Sequence, residues 1–454
     1  MSTKHPASVL PGIEIDIDTA KSPDYVAPAD GNAYYLIGDE RDNTLTGSDQ
    51  ADTFYGGLGN NTFNGGKGND WFITGDPGSG VQNIIDGGDG KHDTVDYSGA
   101  TAGATVDLGN HYGVTPGHLD VLTNIEDVVA TKFNDTIIGD SGDNHISGGF
   151  GADVIEAGAG ADVIDGLGSG GAFSDPLQVG LDGPNTASYE HSPAAVNVSL
   201  VTGDGHGGDA EGDKLLHIDN LTGSGFGDFL TGNSGHNVLK GEGGDDVLFG
   251  SAGGDVYDGG AGNDTVDFYS STSDIVLSLH TGRGTGGDAA GASFVDIENV
   301  DGGSGNDTIV GDDKGNVLRG YGGNDTLQGG LGNDTLTGGT GNDTFVYHGI
   351  KDSDASGSKY DVITDFEAGT KSAPVDKIDL HDIAVANGIS QFTYEANPGT
   401  QPHYAGEVIT TAGTDASTGQ AATFVDVYTN NDQAADMIIE LMGNVTLHQS
   451  NFVS

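Results

Sequence analysis

The 454-residue chain contains no cysteine, which excludes disulfides, thiolate metal sites and a cysteine nucleophile. Basic side chains are scarce: 15 Lys and Arg stand against 69 Asp and Glu, a formal charge of −54. Nucleic acid and anionic membrane surfaces both require basic patches, so neither is expected as a partner. Hydrophobic residues make up only 34% of the chain, too few for an ordinary globular core of matching size. No apolar run approaches the roughly 18 residues of a transmembrane helix. The opening MSTKHPASVLPGIEIDIDTAK lacks an apolar h-region, so no cleaved secretory signal is expected.

What the chain has in excess is glycine, 81 residues, and the glycines are in phase. From Gly320 to Val346 the sequence reads GYGGNDTLQ, GGLGNDTLT, GGTGNDTFV. Each nine-residue unit has Gly at positions 1 and 4, Asp at position 6 (Asp325, Asp334, Asp343) and an apolar residue at position 8 (Leu327, Leu336, Phe345). Glycine supplies the unusual φ angles of a sharp turn without steric cost. A carboxylate beside exposed turn carbonyls is a hard oxygen donor set, suited to calcium rather than to zinc or copper. The last three positions form a short strand with its central residue inward.

The same phase recurs upstream. A first block (Gly38–Ile73) carries Asn43, Asp52, Asn61 and Asp70 at position 6, over an aromatic column of Phe54, Phe63 and Phe72 at position 8. A second (Thr131–Asp165) carries Asp135, Asn144, Asp153 and Asp162. A third (Gly223–Asp267) carries Asp228, Asn237, Asp246, Asp255 and Asp264, and the fourth begins with Asp307 and Asn316. Asn brings an amide oxygen without charge, so its sites are expected to bind more weakly. In the three later blocks the second unit carries the Asn, which points to duplication of a larger module. The spacers agree. DTVDY (Asp93–Tyr97), NTASY (Asn185–Tyr189) and DTVDF (Asp264–Phe268) open three similar segments, and NIED (Asn124–Asp127), HIDN (His217–Asn220) and DIEN (Asp296–Asn299) close them. Their period-two apolar runs read as strands, expected to lengthen the coils or, alternatively, to bulge out as small β excursions. The Gly- and Pro-rich stretch between Gly166 and Asn185 reads as a surface loop.

The nonapeptide GGxGxDxUx resembles the repeat of RTX calcium-binding β-solenoids. After Tyr347, the pieces DVITDFEAG (Asp361–Gly369), DKIDLHDI (Asp376–Ile383) and AADMIIELMGNVTLHQSNFVS (Ala434–Ser454) resemble the C-terminal region of serralysin-type secreted proteases. The terminal Ser454 departs from that family, which ends on an apolar residue, and Asn451 stands where it has an acid. The resemblance implies an all-β chain of right-handed parallel β-roll (solenoid) blocks, with β-rich spacers and a serralysin-like C-terminal β cap. It implies multiple Ca²⁺ ions held between successive turns. The metal-binding candidates are Asp52, Asn61, Asp70, Asp135, Asn144, Asp153, Asp162, Asp228, Asp246, Asp255, Asp264, Asp307, Asp325, Asp334 and Asp343, with the carbonyl-bearing Gly329, Gly332, Gly338 and Gly341. The expected segments are a leader or cap over residues 1–36, RTX blocks over 37–92, 131–171, 223–267 and 302–346, spacers over 93–130, 172–222 and 268–301, and a secretion region over 347–454.

Signs of catalysis are missing. No HExxH, GxSxG or P-loop occurs, and the segment before the first block is too short for a protease domain. His92, His111, His118, His206 and His217 in the spacers read as solvated loop residues. Position 3 offers only Thr340 as a threonine in the regular units, so no ice-matching face is expected. The sequence therefore reads as a secreted, non-enzymatic calcium-binding protein that folds on meeting extracellular Ca²⁺. Its partners would be a type I secretion machinery and cell-surface polysaccharide or itself. A polysaccharide lyase or epimerase on a solenoid scaffold, or a host-interacting exoprotein, is the alternative.

Overall fold

In the fourth block the letters of the nonapeptide become geometry directly. Gly330, Gly332, Gly339 and Gly341 all hold positive φ, at 103°, 128°, 98° and 147°, a region closed to most side chains. Each turn delivers a three-residue strand, among them Thr326–Gln328, Thr335–Thr337 and Thr344–Val346. The central residues Leu327, Leu336 and Phe345 are fully buried while their neighbours are half-buried. Strands eighteen residues apart pair in parallel (Thr326 with Thr344, Val317 with Thr335), so alternate units feed two different sheets. The structure, a computed structural model, describes residues 12–17, 22–74, 80–167, 183–355, 360–370, 375–396, 403–432 and 434–454. It forms two compact units, Met1–Leu230 and Thr231–Ser454, each a parallel β-roll built on this rule.

In the first unit, strand Ile13–Asp16 pairs in parallel with Tyr34–Ile37, and Asp24–Val26 pairs with Thr44–Thr46, so the leader supplies the opening strand of both sheets. Residues 1–11 and 18–21 of the leader lie outside the described residues, as does most of the Gly166–Asn185 stretch. The aromatic column is core: Phe54 stacks on Phe72 at 4.7 Å between ring centroids, and Phe63 tilts against both. A coil thus buries about two large apolar side chains, a narrow core for the backbone it must order. The remaining stabilisation has to come from the turns.

The spacers combine both expectations. Their opening strand stays in register with the coils: Thr94–Asp96 pairs in parallel with Trp71–Ile73 on one side and Asp127–Val129 on the other. The next three strands form an antiparallel meander set into the opposite sheet. Thr105–Asp107 pairs with Tyr112–Thr115, which pairs with His118–Thr123. The meander's outer strands rejoin the stack in parallel, against Thr136–Ile138 and Val81–Asp89. The third spacer, in the second unit, repeats this with Val276–Ser278, Arg283–Gly286 and Ser293–Val295. The second spacer has the same antiparallel order, Asn197–Ser199, Asp204–His206 and Lys214–Leu216. The module inferred from the sequence is therefore a structural one.

At the C-terminal end, Asp361–Ile363 and Lys377–Asp379 continue the two parallel stacks of the fourth block. Met437–Met442 and Phe452–Val453 then pair with them in parallel. Glu407–Thr414, Ala421–Tyr428 and Met437–Met442 make an antiparallel sheet, and the short helix His381–Ala386 follows Lys377–Asp379. The chain's final strands are thus integral to the cap.

Two residues that replace glycine at position 2 keep its left-handed φ, and they are accommodated differently. Glu242 and Tyr321 hold φ of 71° and 72°, a left-handed conformation that costs an L-residue about 1–2 kcal/mol. Tyr321 recovers part of this by packing edge-on against Tyr269 at 4.8 Å and donating its hydroxyl to Asp301. Glu242 is exposed. Glu242→Gly should therefore stabilise the folded protein by about 0.5–1 kcal/mol, while Tyr321→Gly should give no gain. Denaturant midpoints of the three proteins at saturating Ca²⁺ check this.

Candidate metal centres along the turns

The turns are tied together by a ladder that runs through position 6. Where one repeat turn stacks on another, the Oδ1 of the position-6 residue accepts the main-chain N–H of the position-6 residue one coil earlier. Asp70 receives Asp52 at 2.7 Å, Asp162 receives Asn144 at 2.7 Å, and Asp343 receives Asp325 at 2.9 Å. The same bond links Asp135 to Asp153, Asn237 to Asp255, Asp246 to Asp264, Asp307 to Asp325 and Asn316 to Asp334. All of these carboxylates are buried. Asp70, Asp153, Asp264, Asp325, Asp334 and Asp343 sit against the position-1 glycine of their own unit. A Cβ on Gly329 would stand 2.1 Å from Asp334 Oδ2, and one on Gly338 would stand 2.3 Å from Asp343 Oδ2.

The second carboxylate oxygen divides the position-6 residues into three kinds. At Asp70, Asp162, Asp264, Asp325, Asp334 and Asp343, Oδ2 is buried with no hydrogen-bond partner. At Asp52, Asp135, Asp228 and Asp307, both oxygens are taken by N–H donors. Ser48 and Tyr34 donate to Asp52, Thr131 and Ala104 to Asp135, Ser224 and Val196 to Asp228, and Gly303 and Ile275 to Asp307. Asp255 is similar, with Oδ2 accepting from Ser251 and Tyr257 hydroxyls. The third kind is Asn. Asn144 and Asn316 accept at Oδ1 from Asp140 and Asp312 N–H, and each donates from Nδ2 to a spacer carbonyl, Glu126 O and Glu298 O, at 2.8 Å. Asn61 donates from Nδ2 to Gly59 O and Asn83 Oδ1. Where the column carries Asn, the turn closes by hydrogen bonding.

The bare oxygens are electrostatically costly. Burial pushes Asp70 up to about 8 and Asp162, Asp325 and Asp334 to about 7, with neighbouring carboxylates adding to the rise. A cation in the turn would remove this cost, and the surroundings fit one. The point where a Cβ on Gly320 would stand lies 2.2 Å from Asp325 Oδ2 and 2.7 Å from Gly338 O. For Gly311, the nearest oxygen is Gly329 O, at 2.1 Å. Carbonyls of Gly329 and Gly338 thus face the position-1 glycine of the coil before. Gly332 and Gly341 are placed differently: their own Cβ positions abut the carbonyls of Lys314 and Gly323. Among the described residues no three His, Asp or Glu side chains converge on one point. A metal here must combine one or two carboxylates with main-chain carbonyls, which is how Ca²⁺ is held.

Several members of the ladder lie outside the nonapeptide phase. Asp93, Asn185, Asp213, Asp361 and Asp376 accept the N–H of Asp70, Asp153, Asp162, Asp334 and Asp343. Burial and its acidic neighbours push Asp361 up to about 9, and its Oδ2 has no partner. Asp93 could have been found, since GGDGKHD (Gly87–Asp93) is the repeat turn with one residue inserted. Asp213 follows Asp162 by 51 residues, beyond any phase. His118 is not solvated, contrary to expectation. It is buried with Asp120, 2.7 Å from Nε2 to Oδ1, and Asn83 Nδ2 donates to the same carboxylate oxygen. The hydrophobic meander folds it inward. His217 is half exposed and paired with Asp165 at 2.7 Å.

Two family models match the chain. The family model "RTX calcium-binding nonapeptide repeat (4 copies)" matches residues 37–72, 128–168, 222–257 and 231–266. "Peptidase M10 serralysin C terminal" matches residues 254–453. No curated protein matches. Among solved structures, the AlgE6R3 subunit of the Azotobacter vinelandii mannuronan C5-epimerase is 29% identical, with a TM-score of 0.26, over 34% of this chain and 77% of that one. The AlgE6R2 subunit is also 29% identical, with a TM-score of 0.22, over 35% and 80%. The extracellular lipase LipA from Serratia marcescens is 15% identical, with a TM-score of 0.16, over 72% and 39%.

The carboxylate shifts set the sign of a pH effect. Their folded values are raised above the ordinary 3.8, so the metal-free fold is favoured below that value and loses stability as pH rises through about 7–8. Without Ca²⁺, β-structure should increase from pH 8 to pH 5. With Ca²⁺, protons compete for the same oxygens, so the calcium midpoint should move to higher concentration over that interval. Circular dichroism at both pH values, in chelator and in a calcium titration, checks both directions.

Proposed function

We propose a role from the premise that the chain carries RTX calcium-binding nonapeptide repeats, which bind multiple Ca²⁺ ions, joined to a serralysin-type C-terminal region. It is a secreted, non-enzymatic protein that folds on extracellular Ca²⁺ and serves as a cell-surface, biofilm-matrix or adhesion component. The observation that carries the reading is the set of buried Oδ2 atoms without partners at Asp70, Asp162, Asp264, Asp325, Asp334 and Asp343. These six are the assigned carboxylate ligands, with the carbonyls of Gly329 and Gly338 beside them.

In the cytosol free Ca²⁺ is low and a chain of −54 repels itself, which keeps it extended for export. Outside, calcium modules bind at about 10⁻⁴–10⁻³ M, and coil-on-coil coupling makes the transition cooperative. The serralysin-like region is the element offered to a type I secretion machinery. No helix among the described residues is long and apolar enough to cross a membrane. A non-enzymatic role is supported by the sequence, which lacks the hydrolase and nucleotide motifs. A cavity of about 370 Å³ in the C-terminal region brings Tyr360, Asp426 and Glu440 together, but no histidine or lysine lines it.

A calcium titration followed by far-ultraviolet circular dichroism tests the mechanism. Little β signal in chelator, and a cooperative rise at about 10⁻⁴–10⁻³ M Ca²⁺, is expected. Asp334→Asn should move the midpoint to higher Ca²⁺ by about twofold or more, because one ligand charge is lost. A full β signal in chelator, unchanged by Ca²⁺, would sink the reading.

A further inference from the structure

The three spacers end in short turns that stand in for a repeat. NIED, HIDN and DIEN begin at Asn124, His217 and Asp296, and all three hold left-handed φ, at 49°, 52° and 46°. The next residue is a buried isoleucine, Ile125, Ile218 or Ile297. The third is an acid that accepts an N–H from the spacer's opening residue. Glu126 takes that of Asp93 at 3.0 Å, Asp219 that of Asn185 at 2.9 Å and Glu298 that of Asp264 at 3.0 Å. Two residues thus do what a whole GGxGxD turn does elsewhere: the left-handed residue aims a carbonyl, and the acid continues the ladder.

The aimed carbonyl lies over a position-1 glycine of the preceding coil. A Cβ on Gly87, Gly166 or Gly259 would stand 1.9 Å from Asn124 O, 2.2 Å from His217 O or 2.2 Å from Asp296 O. The same three points are bordered by the opening residue of the spacer: Asp93 Oδ2 at 2.8 Å, Asn185 Nδ2 at 2.6 Å and Asp264 Oδ2 at 2.6 Å. In the middle junction the pair is matched, since Asn185 Nδ2 donates to His217 O at 3.3 Å. In the outer two it is not. Asp93 and Asp264 are fully buried, their Oδ2 atoms have no partner, and each faces a carbonyl oxygen. Acids crowd both places: Glu126, Asp127 and Asp86 around Asp93, and Glu298, Asp245 and Asp296 around Asp264.

We infer that the outer two junctions are cation sites, the one at Asp93 outside the nonapeptide array and the one at Asp264 joining the array's last ligand to the spacer. Ca²⁺ sits between Asp93 Oδ2 and Asn124 O, and between Asp264 Oδ2 and Asp296 O, while the Asn185–His217 junction holds none. Two acceptors in a dry, negative turn require a positive charge between them, and a carboxylate with a carbonyl is a hard-oxygen pair. The Asn at the middle junction replaces the ion with a hydrogen bond. The junction ions clamp each meander to the block before it. This rests on the calcium reading above.

The test is a count of bound Ca²⁺ on the full chain, by equilibrium dialysis at saturating CaCl₂ followed by atomic absorption. Asp93→Asn, which copies the middle junction, should lose one ion per chain with its β signal retained. Asn185→Asp, which copies the outer ones, should gain one. If the wild type binds Ca²⁺ but neither substitution changes the count, the junctions are bridged by water and the inference is overturned. If the wild type binds none, the calcium reading itself falls with it. Should Asp93→Asn not fold, Asn185→Asp decides alone: an unchanged count overturns the inference, and one extra ion supports it.

Discussion

The structure depends on an opposition of like partners in its turns. A buried carboxylate oxygen faces a main-chain carbonyl, as at Asp325 Oδ2 and Gly338 O, and neither has a proton to give. Leaving such a pair unmatched costs more than the narrow core returns, because a coil buries only a few large side chains such as Leu336 and Phe345. In the proposed reading the fold is therefore conditional on a positive charge arriving. The composition is a consequence: a chain with 69 acids and 15 bases has too few cationic side chains to fill these places itself.

The coil itself was legible. Glycine at positions 2 and 4 required left-handed turns, and one apolar residue per unit required a short strand with a single inward face. Both are local demands, and Gly332, Gly341, Leu336 and Phe345 meet them as read. The division of position 6 was not legible, because it is decided by the neighbouring coil. Asp307 and Asp325 look the same in the sequence. Asp307 lies beside a spacer, where Ile275 and Gly303 donate to both its oxygens, whereas Asp325 lies between two repeat turns and keeps one oxygen bare. The partners in such cases are up to 51 residues distant, as Asp162 and Asp213 are. The spacers showed the same limit: period-two runs marked their strands, but not that three of them would turn antiparallel inside a parallel sheet.

Asparagine and aspartate act as opposites along this column although they differ by one group. An amide donates to the carbonyl it faces and closes the turn without an ion, as at Asn144 and Asn316, each bonded to a spacer carbonyl at 2.8 Å. A carboxylate in the same place cannot. In the three later blocks Asn falls where the block begins on a spacer, so the module places an ion-independent turn at that seam and its ion-dependent turns further along the array. That arrangement suits the proposed export and folding. Seams can hold their local geometry, while the array orders only when Ca²⁺ is abundant.

The most direct measurement is a crystal structure grown in CaCl₂, with anomalous difference density collected at a wavelength where calcium scatters anomalously. Peaks are expected beside Asp70, Asp162, Asp264, Asp325, Asp334 and Asp343, within coordination distance of a glycine or spacer carbonyl, and none beside Asn144 or Asn316. Density at the asparagines, or none at the aspartates whose Oδ2 is bare, would contradict the claim that the partner of that one atom decides where the metal sits.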